Sequence, residues 1–267
     1  MSWFNKPGRL ISRSVGYDLD FLQLPHLRLS AKIDFVVKKY FSLITHPTSV
    51  SIMGKKYFYN ERAGVAFLQS VFADNAFLIN YCPSAKIVID IGAHTGQFNF
   101  FCKHYLKAEN VYSFEPIKQS FKTLSLNTQG KNIFPWAIAL SPSVNLLIPN
   151  NNSYMASVFK LAPVFTLEKA EGKKLDEIRQ INRLSRIDLL KIDTEGSELE
   201  VLKTCQKTLK KAKYVLVECS LNRPNSGDLT AISEFLYHTN KFKIIDIGRK
   251  YLTKSGSIDA VDILFSL

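Results

Sequence analysis

Between residues 86 and 220, short runs of β-branched residues take turns with stretches of helical periodicity, and this rhythm limits the fold more than any other feature of the chain. KIVIDI (86–91) reads as a strand, QFNFFCKHYLK (97–107) as a helix and NVYSFE (110–115) as a second strand. PIKQSFKTLSLN (116–127) follows as a helix and NIFPWAIAL (132–140) as a strand. LDEIRQIN (175–182), RIDLLKID (186–193), SELEVLKTCQKTLKKA (197–212) and KYVLVECS (213–220) then read as helix, strand, helix and strand. Strand-helix-strand units imply parallel strands joined by right-handed crossovers, and so an α/β, doubly wound sheet. The strands are nearly all apolar, as strands covered on both faces must be. A last helix, DLTAISEFLYHTN (228–240), leads into FKIIDIG (242–248) and AVDILFSL (260–267), expected as an antiparallel pair around the loop RKYLTKSGS (249–257).

Residues 1–84 do not share the rhythm, which divides the chain into an N-terminal helical extension, 1–84, and a main domain, 85–267. Within the extension AKIDFVVKKYFSLI (31–44) sets Ile33, Val36, Val37, Tyr40, Phe41 and Ile44 on one helical stripe, with Lys32, Lys38 and Lys39 off it. The stripe predicts a helix packed on the core, with a membrane-surface helix as the alternative. KKYFYNERAGVAFL (55–68) adds apolar and aromatic surface, and the extension is expected to cap the main domain and contribute to an acceptor pocket. The polar stretch IPNNNSYMAS (148–157) reads as a loop.

The strand 86–91 ends in Asp90-Ile91-Gly92, and a helix begins after Gly96. Two glycines four positions apart at a strand-to-helix turn bring backbone N–H groups close to a ligand at the carboxyl end of the sheet. Glu115 ends the next strand, where a carboxylate accepts hydrogen bonds from both hydroxyls of a ribose, as any adenosine cofactor requires. The pattern G-x-G-x-x-G is absent, because His94 stands where the middle glycine would meet a pyrophosphate, and NAD is disfavoured. A cofactor with adenosine and no diphosphate needs an anchor for an amino acid end, and Asp90 is the expected partner of its ammonium. S-adenosylmethionine meets those requirements. Further on, KIDTEGSELEVL (191–202) places Asp193, Glu195 and Glu198 at a strand end and helix start. An interaction with the helix dipole accounts for Glu198, but Asp193, at the carboxyl edge of a central strand, is a candidate catalytic or metal-binding carboxylate.

IDIGAHTGQF, YSFEP, the Leu175-Asp176-Glu177 element, DLLKIDTEGSELEVL and the strand ending in Val217-Glu218 stand in the order of the FkbM-type S-adenosylmethionine-dependent methyltransferases, and the chain resembles that family over roughly residues 86–220. The resemblance implies a Rossmann-like class I methyltransferase sheet. It further implies that Asp90, Gly92, Ala93, His94, Thr95, Gly96, Glu115, Pro116 and Asp193 surround the cofactor and that Trp136 and Ala137 border the adenine. It implies methyl transfer to a hydroxyl oxygen of a sugar, glycan or other small molecule. For that step Asp193 is the expected base, His94 its rival, and Glu195 and Glu218 the residues that orient the acceptor or help hold a divalent ion, whose participation the residues leave open.

Two alternatives, a nucleic-acid methyltransferase and a non-catalytic cofactor-binding interaction module, are disfavoured. The formal charge is +12, from 35 basic and 23 acidic side chains, but no aromatic residues interleave with the lysine cluster KTCQKTLKKAK (203–213) as stacking platforms for a nucleic acid would. The position after the fourth strand reads Asp193-Thr194-Glu195-Gly196, not the Asn/Asp-Pro-Pro-aromatic loop of base amino-methylation, and Cys219 reads as core rather than a nucleophile. An acid-rich site also repels phosphates. A non-catalytic cofactor-binding module would require a degenerate site, and this one is intact. Cys82, Cys102, Cys205 and Cys219 form no CxxC pair and read as reduced structural cysteines. No apolar segment has the form of a signal peptide or membrane span, so the expectation is a cytoplasmic enzyme, with peripheral membrane contact left open.

Overall fold

The computed structural model describes residues 18–25, 27–45, 48–60, 64–149, 165–221, 228–253 and 255–267. Residues 18–23 are helical. They lead to α1 (Leu29–Thr45), a hairpin of β1 (Ser49–Ile52) and β2 (Lys55–Phe58), and α2 (Gly64–Asn75). The main domain begins with β3 (Ile87–Ile91), α3 (Gln97–His104), β4 (Asn110–Phe114), α4 (Lys118–Thr128) and β5 (Ile133–Phe134). Three strands, β6 (Ala137–Ile138), β7 (Ser143–Pro149) and β8 (Phe165–Lys173), then form a small separate sheet. The chain closes with β9 (Ile187–Ile192), α5 (Glu198–Lys203), β10 (Ala212–Ser220), α6 (Leu229–Asn240), β11 (Lys243–Leu252) and β12 (Ile258–Ser266).

Seven strands make the main sheet, in the order β11-β12-β10-β9-β3-β4-β5. From β10 through β9, β3 and β4 to β5 all pairs are parallel, and β12 runs antiparallel between β10 and β11. The expected doubly wound sheet and closing antiparallel pair are therefore present. The chain winds outward from β3 to β5 and resumes on the other side of β3 with β9, so the strand order reverses between β3 and β9, where such sheets bind ligands. Core residues alternate along β3: Val88 joins the cluster built with Phe98, Phe101 and the extension, while Ile89 and Ile91 join the cluster on the opposite face. All four cysteines are free and buried.

Several elements differ from the sequence reading. The third strand is broken at Pro135-Trp136, so that β5 belongs to the main sheet and β6 pairs with β8; proline has no N–H to give to a ladder. The helix expected over 197–212 stops at Lys203 and resumes over Gln206–Leu209. There Thr204 Oγ1 donates to the Val201 carbonyl at 2.7 Å, a local bond that competes with helix propagation. Residues 175–182 form a 3₁₀ turn and a single α-turn rather than one helix. β11 runs to Leu252, well into the expected loop. Of the polar stretch 148–157, residues 150–157 lie outside the described residues.

The largest correction concerns α1, where Val36 of the apolar stripe packs against the core but four of the other stripe residues do not. Ile33, Val37, Phe41 and Ile44 are 49%, 59%, 54% and 78% exposed, whereas Lys32, Phe35, Lys39 and Ser42 are buried. Phe35 settles between Phe21 and Phe72, with ring centroids 4.8 and 5.8 Å away. Lys32 Nζ donates to the Leu22 carbonyl at 2.8 Å. Lys39 Nζ donates to Asp18, which also accepts from Gln69 Nε2 at 2.8 Å and the Tyr40 hydroxyl at 2.7 Å. Burial lowers the pKa of Lys39 against the opposing pull of Asp18. The aromatic core takes Phe35, and the inward turn of the helix carries the lysines with it.

This arrangement sets a test. A buried pair broken on one side leaves an uncompensated charge, so Lys39→Met is expected to cost about 3 to 5 kcal/mol in urea denaturation. Adding Asp18→Leu should recover much of that loss. A Lys39→Met protein as stable as wild type would show that the buried pair does not hold α1 in this orientation.

Candidate active site at the carboxyl edge of the sheet

Strand register assembles the site. Phe134, Phe114, Ile91, Ile192 and Val217 are paired across β5, β4, β3, β9 and β10. The residues one step beyond β4, β3 and β9 are Glu115, Gly92 and Asp193, and Glu218 follows Val217 near the end of β10. All four line a cavity of about 230 Å³ at that edge. His94, Pro116, Trp136, Ala137, Glu195, Glu200 and Tyr251 complete its polar and aromatic rim, and the small sheet adds an apolar wall with Val144 and Leu146.

Gly92 (φ +84°) cannot be replaced without rebuilding the site, because a Cβ there would stand 1.7 Å from the Asp193 carbonyl oxygen. The same two loops are joined by the Asp193 N–H, which donates to the Ile91 carbonyl at 3.0 Å. Gly96 (φ +91°) adopts a left-handed conformation at the N-terminus of α3. Between them His94 also has a positive φ, +48°, and Glu195 in the facing loop has +55°. Side chains adopt this region at a cost, and such residues concentrate at ligand sites.

Glu115 ties the glycine turn to the end of β4. Its Oε2 accepts from the His94 N–H and its Oε1 from the Ile117 N–H, both at 2.8 Å. Each carboxylate oxygen has a second lone pair for a further donor. Burial raises the Glu115 pKa to about 7. His94 is driven the other way, down to about 3 by burial, which keeps the imidazole neutral. Its Nδ1 lies 3.3 Å from Gln97 Nε2.

On the other side of the cavity the charges converge. Lys191 Nζ is 2.9 Å from Asp193 Oδ2 and 3.9 Å from Asp90 Oδ1. Burial pulls the Lys191 pKa down, but Asp193 and Asp90 outweigh it and leave it raised. Glu218 stands beside Asp262 across the β10–β12 pair, and the Tyr251 hydroxyl donates to Asp262 Oδ2 at 3.3 Å. Burial raises the pKa of both acids, with Asp193 adding repulsion, and brings Asp262 to about 7. Asp193, Glu195 and Glu218 each offer one carboxylate oxygen within 4.8 Å of the others, a spacing that suits three ligands of one divalent ion. Glu198 is not part of this group: its Oε1 accepts from Thr194 N, Thr194 Oγ1 and Gly196 N at 2.9 to 3.0 Å and shapes the loop.

Of the residues expected from the sequence, Gly92, His94, Glu115, Pro116, Trp136, Ala137, Asp193 and Glu195 line the cavity, while Asp90, Ala93, Thr95 and Gly96 lie behind it. Asp90 is fully buried, with the ammonium of Lys191 3.9 Å from its Oδ1. Thr95 is likewise buried, 3.3 Å from the Tyr57 hydroxyl. None of the described residues of the extension lines the cavity; β2 instead supports the glycine turn from behind. Asn127 fastens the two together, donating to the Phe58 and Thr95 carbonyls at 2.9 and 2.7 Å. Lys191, Glu200, Tyr251 and Asp262 were missed. Lys191 alone had a sequence signal, as a charged residue inside an otherwise apolar strand.

A strand-end cavity at the reversal point of a doubly wound sheet, with a glycine turn on one strand and an acid ending the next, defines a nucleoside-cofactor fold of the class I methyltransferase kind. Residues 90–243, more than half of the chain, match the model of the methyltransferase FkbM domain, and the chain belongs to the FkbM methyltransferase family. It is 27% identical to methyltransferase sdnD of Sordaria araneosa, over 51% of this chain and 66% of that protein. It is 28% identical to the hexuronic acid methyltransferase AglP of Haloferax volcanii, over 53% of this chain and 59% of that one. The chain thus spans about three fifths to two thirds of the length of these relatives. The crystal structure of an FkbM methyltransferase from Methylobacillus flagellatus aligns with 97% of this chain and 60% of its own, at 14% identity and a TM-score of 0.46.

The buried acids make the stability of the ligand-free protein depend on pH in an unusual direction. Asp74 and Asp90 are raised to about 6, and Glu115 and Asp262 to about 7, in each case mainly by burial. Groups raised on folding contribute stability below their unfolded pKa and lose it as pH climbs through the folded value. His94 and His104, lowered to about 3 and 4 by burial, act oppositely, but only as pH falls through the ordinary histidine range. The melting temperature is therefore expected to fall as pH rises from about 6.5 to 8. Glu115→Gln and Asp262→Asn should flatten that slope, and a melting temperature that rises across the interval in wild type would contradict it.

Proposed function

We propose that the protein is an S-adenosylmethionine-dependent methyltransferase acting on a hydroxyl oxygen of a sugar, glycan or other small molecule. The observation that carries this reading is the convergence, in one strand-end cavity, of Glu115 with the carboxylates of Asp193, Glu195 and Glu218. The residues fit this cofactor on two counts. Each Glu115 carboxylate oxygen keeps a lone pair beyond its one backbone donor, and the acid-rich lining suits a ligand bearing a sulfonium and an ammonium while opposing a pyrophosphate. Glu115 would take the ribose hydroxyls, Trp136 and Ala137 the adenine edge, and the Gly92–Gly96 turn the amino acid end. When bound, S-adenosylmethionine supplies a methyl group on a sulfonium that departs as a neutral thioether.

The protein's own part is to orient the acceptor and take its proton. Lys191 engages Asp193 Oδ2 at 2.9 Å and leaves Oδ1 to accept the hydroxyl proton as the oxygen becomes an ether. A neutral His94 with a pKa near 3 is a weaker base in the same cavity. Glu195 and Glu218 would accept from neighbouring acceptor hydroxyls. The Haloferax relative is named for a hexuronic acid, which supports a sugar as acceptor class. None of the lysines of 203–213 lines the cavity, which weighs against a nucleic-acid acceptor.

Two measurements test this. Calorimetry is expected to show S-adenosylmethionine binding, with Glu115→Ala weakening it by about 1.5 to 3 kcal/mol, the range for a hydrogen bond to a charged group; preferential binding of NAD would overturn the cofactor assignment. With an acceptor found by transfer of an isotopically labelled methyl group, Asp193→Asn should lower turnover by about 10² to 10⁴-fold with cofactor affinity kept. Activity lost to a chelator and restored by magnesium or manganese would make Asp193, Glu195 and Glu218 ligands of an ion instead. Near-normal turnover in Asp193→Asn together with collapse in His94→Ala would move the base to His94.

A further inference from the structure

The outward face of α1 is a continuous apolar strip. Leu29, Ile33, Val37, Phe41 and Ile44, at spacings of four, four, four and three, are 62%, 49%, 59%, 54% and 78% exposed, and the strip is about 22 Å long at 1.5 Å per residue. Single exposed apolar residues need no explanation, but a row of five along one helix face marks an interaction surface. Nor is the face exposed for want of an alternative. Burying Lys39 costs desolvation that its pair with Asp18 has to offset, and the seating of Phe35 between Phe21 and Phe72 holds the helix with the strip outside.

We propose that this face docks onto an anionic lipid bilayer. The charge around it selects that partner. Residues 1–84 hold 10 basic and 5 acidic residues, and three of those acids are paired: Asp18 with Lys39, Asp34 with Lys38 and Asp74 with Arg249. Arg28, directly before α1, is exposed, as are Lys55 and Lys56 on the hairpin whose β1 strand packs against α1. Lys55 also joins Lys103 and Lys107 around His104, whose pKa falls to about 4 through burial and these three cations. An apolar strip accompanied by exposed cations has the chemistry of an interfacial helix, whose apolar side chains enter the acyl boundary while the cations meet lipid phosphates. A second copy of the chain fits less well, since a two-fold pairing of this face would bring two positive borders together. Docking of this kind would hold the cavity at the surface from which a membrane-held acceptor is reached.

The test is co-sedimentation of the full-length protein with vesicles of phosphatidylcholine alone or with about 30% phosphatidylglycerol, at low salt. Binding is expected to the anionic vesicles and to be weakened by high salt. Val37→Glu/Phe41→Glu should abolish it, and Lys55→Glu/Lys56→Glu should weaken it by about 25-fold or more, from about a fivefold effect per cation. Circular dichroism and S-adenosylmethionine binding of these variants should match wild type, so that a lost site and a misfolded protein are told apart. Ile247→Glu, on the other exposed apolar row along β11, should bind vesicles as wild type does. Absence of vesicle binding, or equal binding by Val37→Glu/Phe41→Glu, would overturn the proposal. So would a concentration-dependent dimer in size-exclusion chromatography that Val37→Glu/Phe41→Glu dissolves, since the face would then belong to a second copy.

Discussion

The site depends on one close approach, that of the Gly92 backbone to the carbonyl of Asp193. Two loops leave adjacent parallel strands, β3 and β9, and the hydrogen bond from Asp193 N–H to Ile91 carbonyl holds them against each other. A methyl group at Gly92 would push them apart, since it would overlap a backbone carbonyl that has no other place to go. Once the loops are joined, sheet register does the rest. Glu115 follows β4, Glu218 lies near the end of β10, and both arrive at the same edge without any loop having to search for them.

That economy of placement brings many carboxylates into a small volume, and the charge has to be balanced. Lys191, only 12% exposed, stands between Asp90 and Asp193, and its pKa is raised by these two and by Asp262 against the opposing effect of burial. The remaining excess is held as protons: Glu115, Glu218 and Asp262 are all shifted upward by burial. A cationic ligand entering the cavity would relieve the same repulsion that those protons relieve. Ligand binding and proton release are therefore linked, and the acidity of the lining is as much a selector of the ligand's charge as the glycine turn is of its shape.

What could be read from the sequence was what depends on neighbours along the chain. Strand ends at Asp90, Glu115 and Asp193 are marked by local patterns, and so the parallel sheet, the glycine turn and most of the cavity lining were legible. Tyr251 and Asp262 were not, because they reach the site only through pairing of β12 with β10, which sets Asp262 opposite Glu218. The ion-pair partner of Asp90 was hidden for a related reason: it sits across the β3–β9 register, where Asp90 stands opposite Lys191. The apolar wall of Val144 and Leu146 depends on a break at Pro135 that diverts the chain into a second sheet, and a single proline does not say where the diverted strand will go.

The helix α1 shows the limit of periodicity as a guide. Its hydrophobic stripe was correctly located, yet a stripe specifies that a face is apolar without specifying what it faces. Three aromatic rings decided the question here, because Phe35 fits between Phe21 and Phe72 and the opposite side of the helix then points outward. The same packing gives the extension its relation to the site. By filling the space beside α3 it sets β2 behind the glycine turn, where Tyr57 meets Thr95 and Asn127 bonds both Phe58 and Thr95. The described part of the extension thus acts on the cavity through the back of the turn that shapes it.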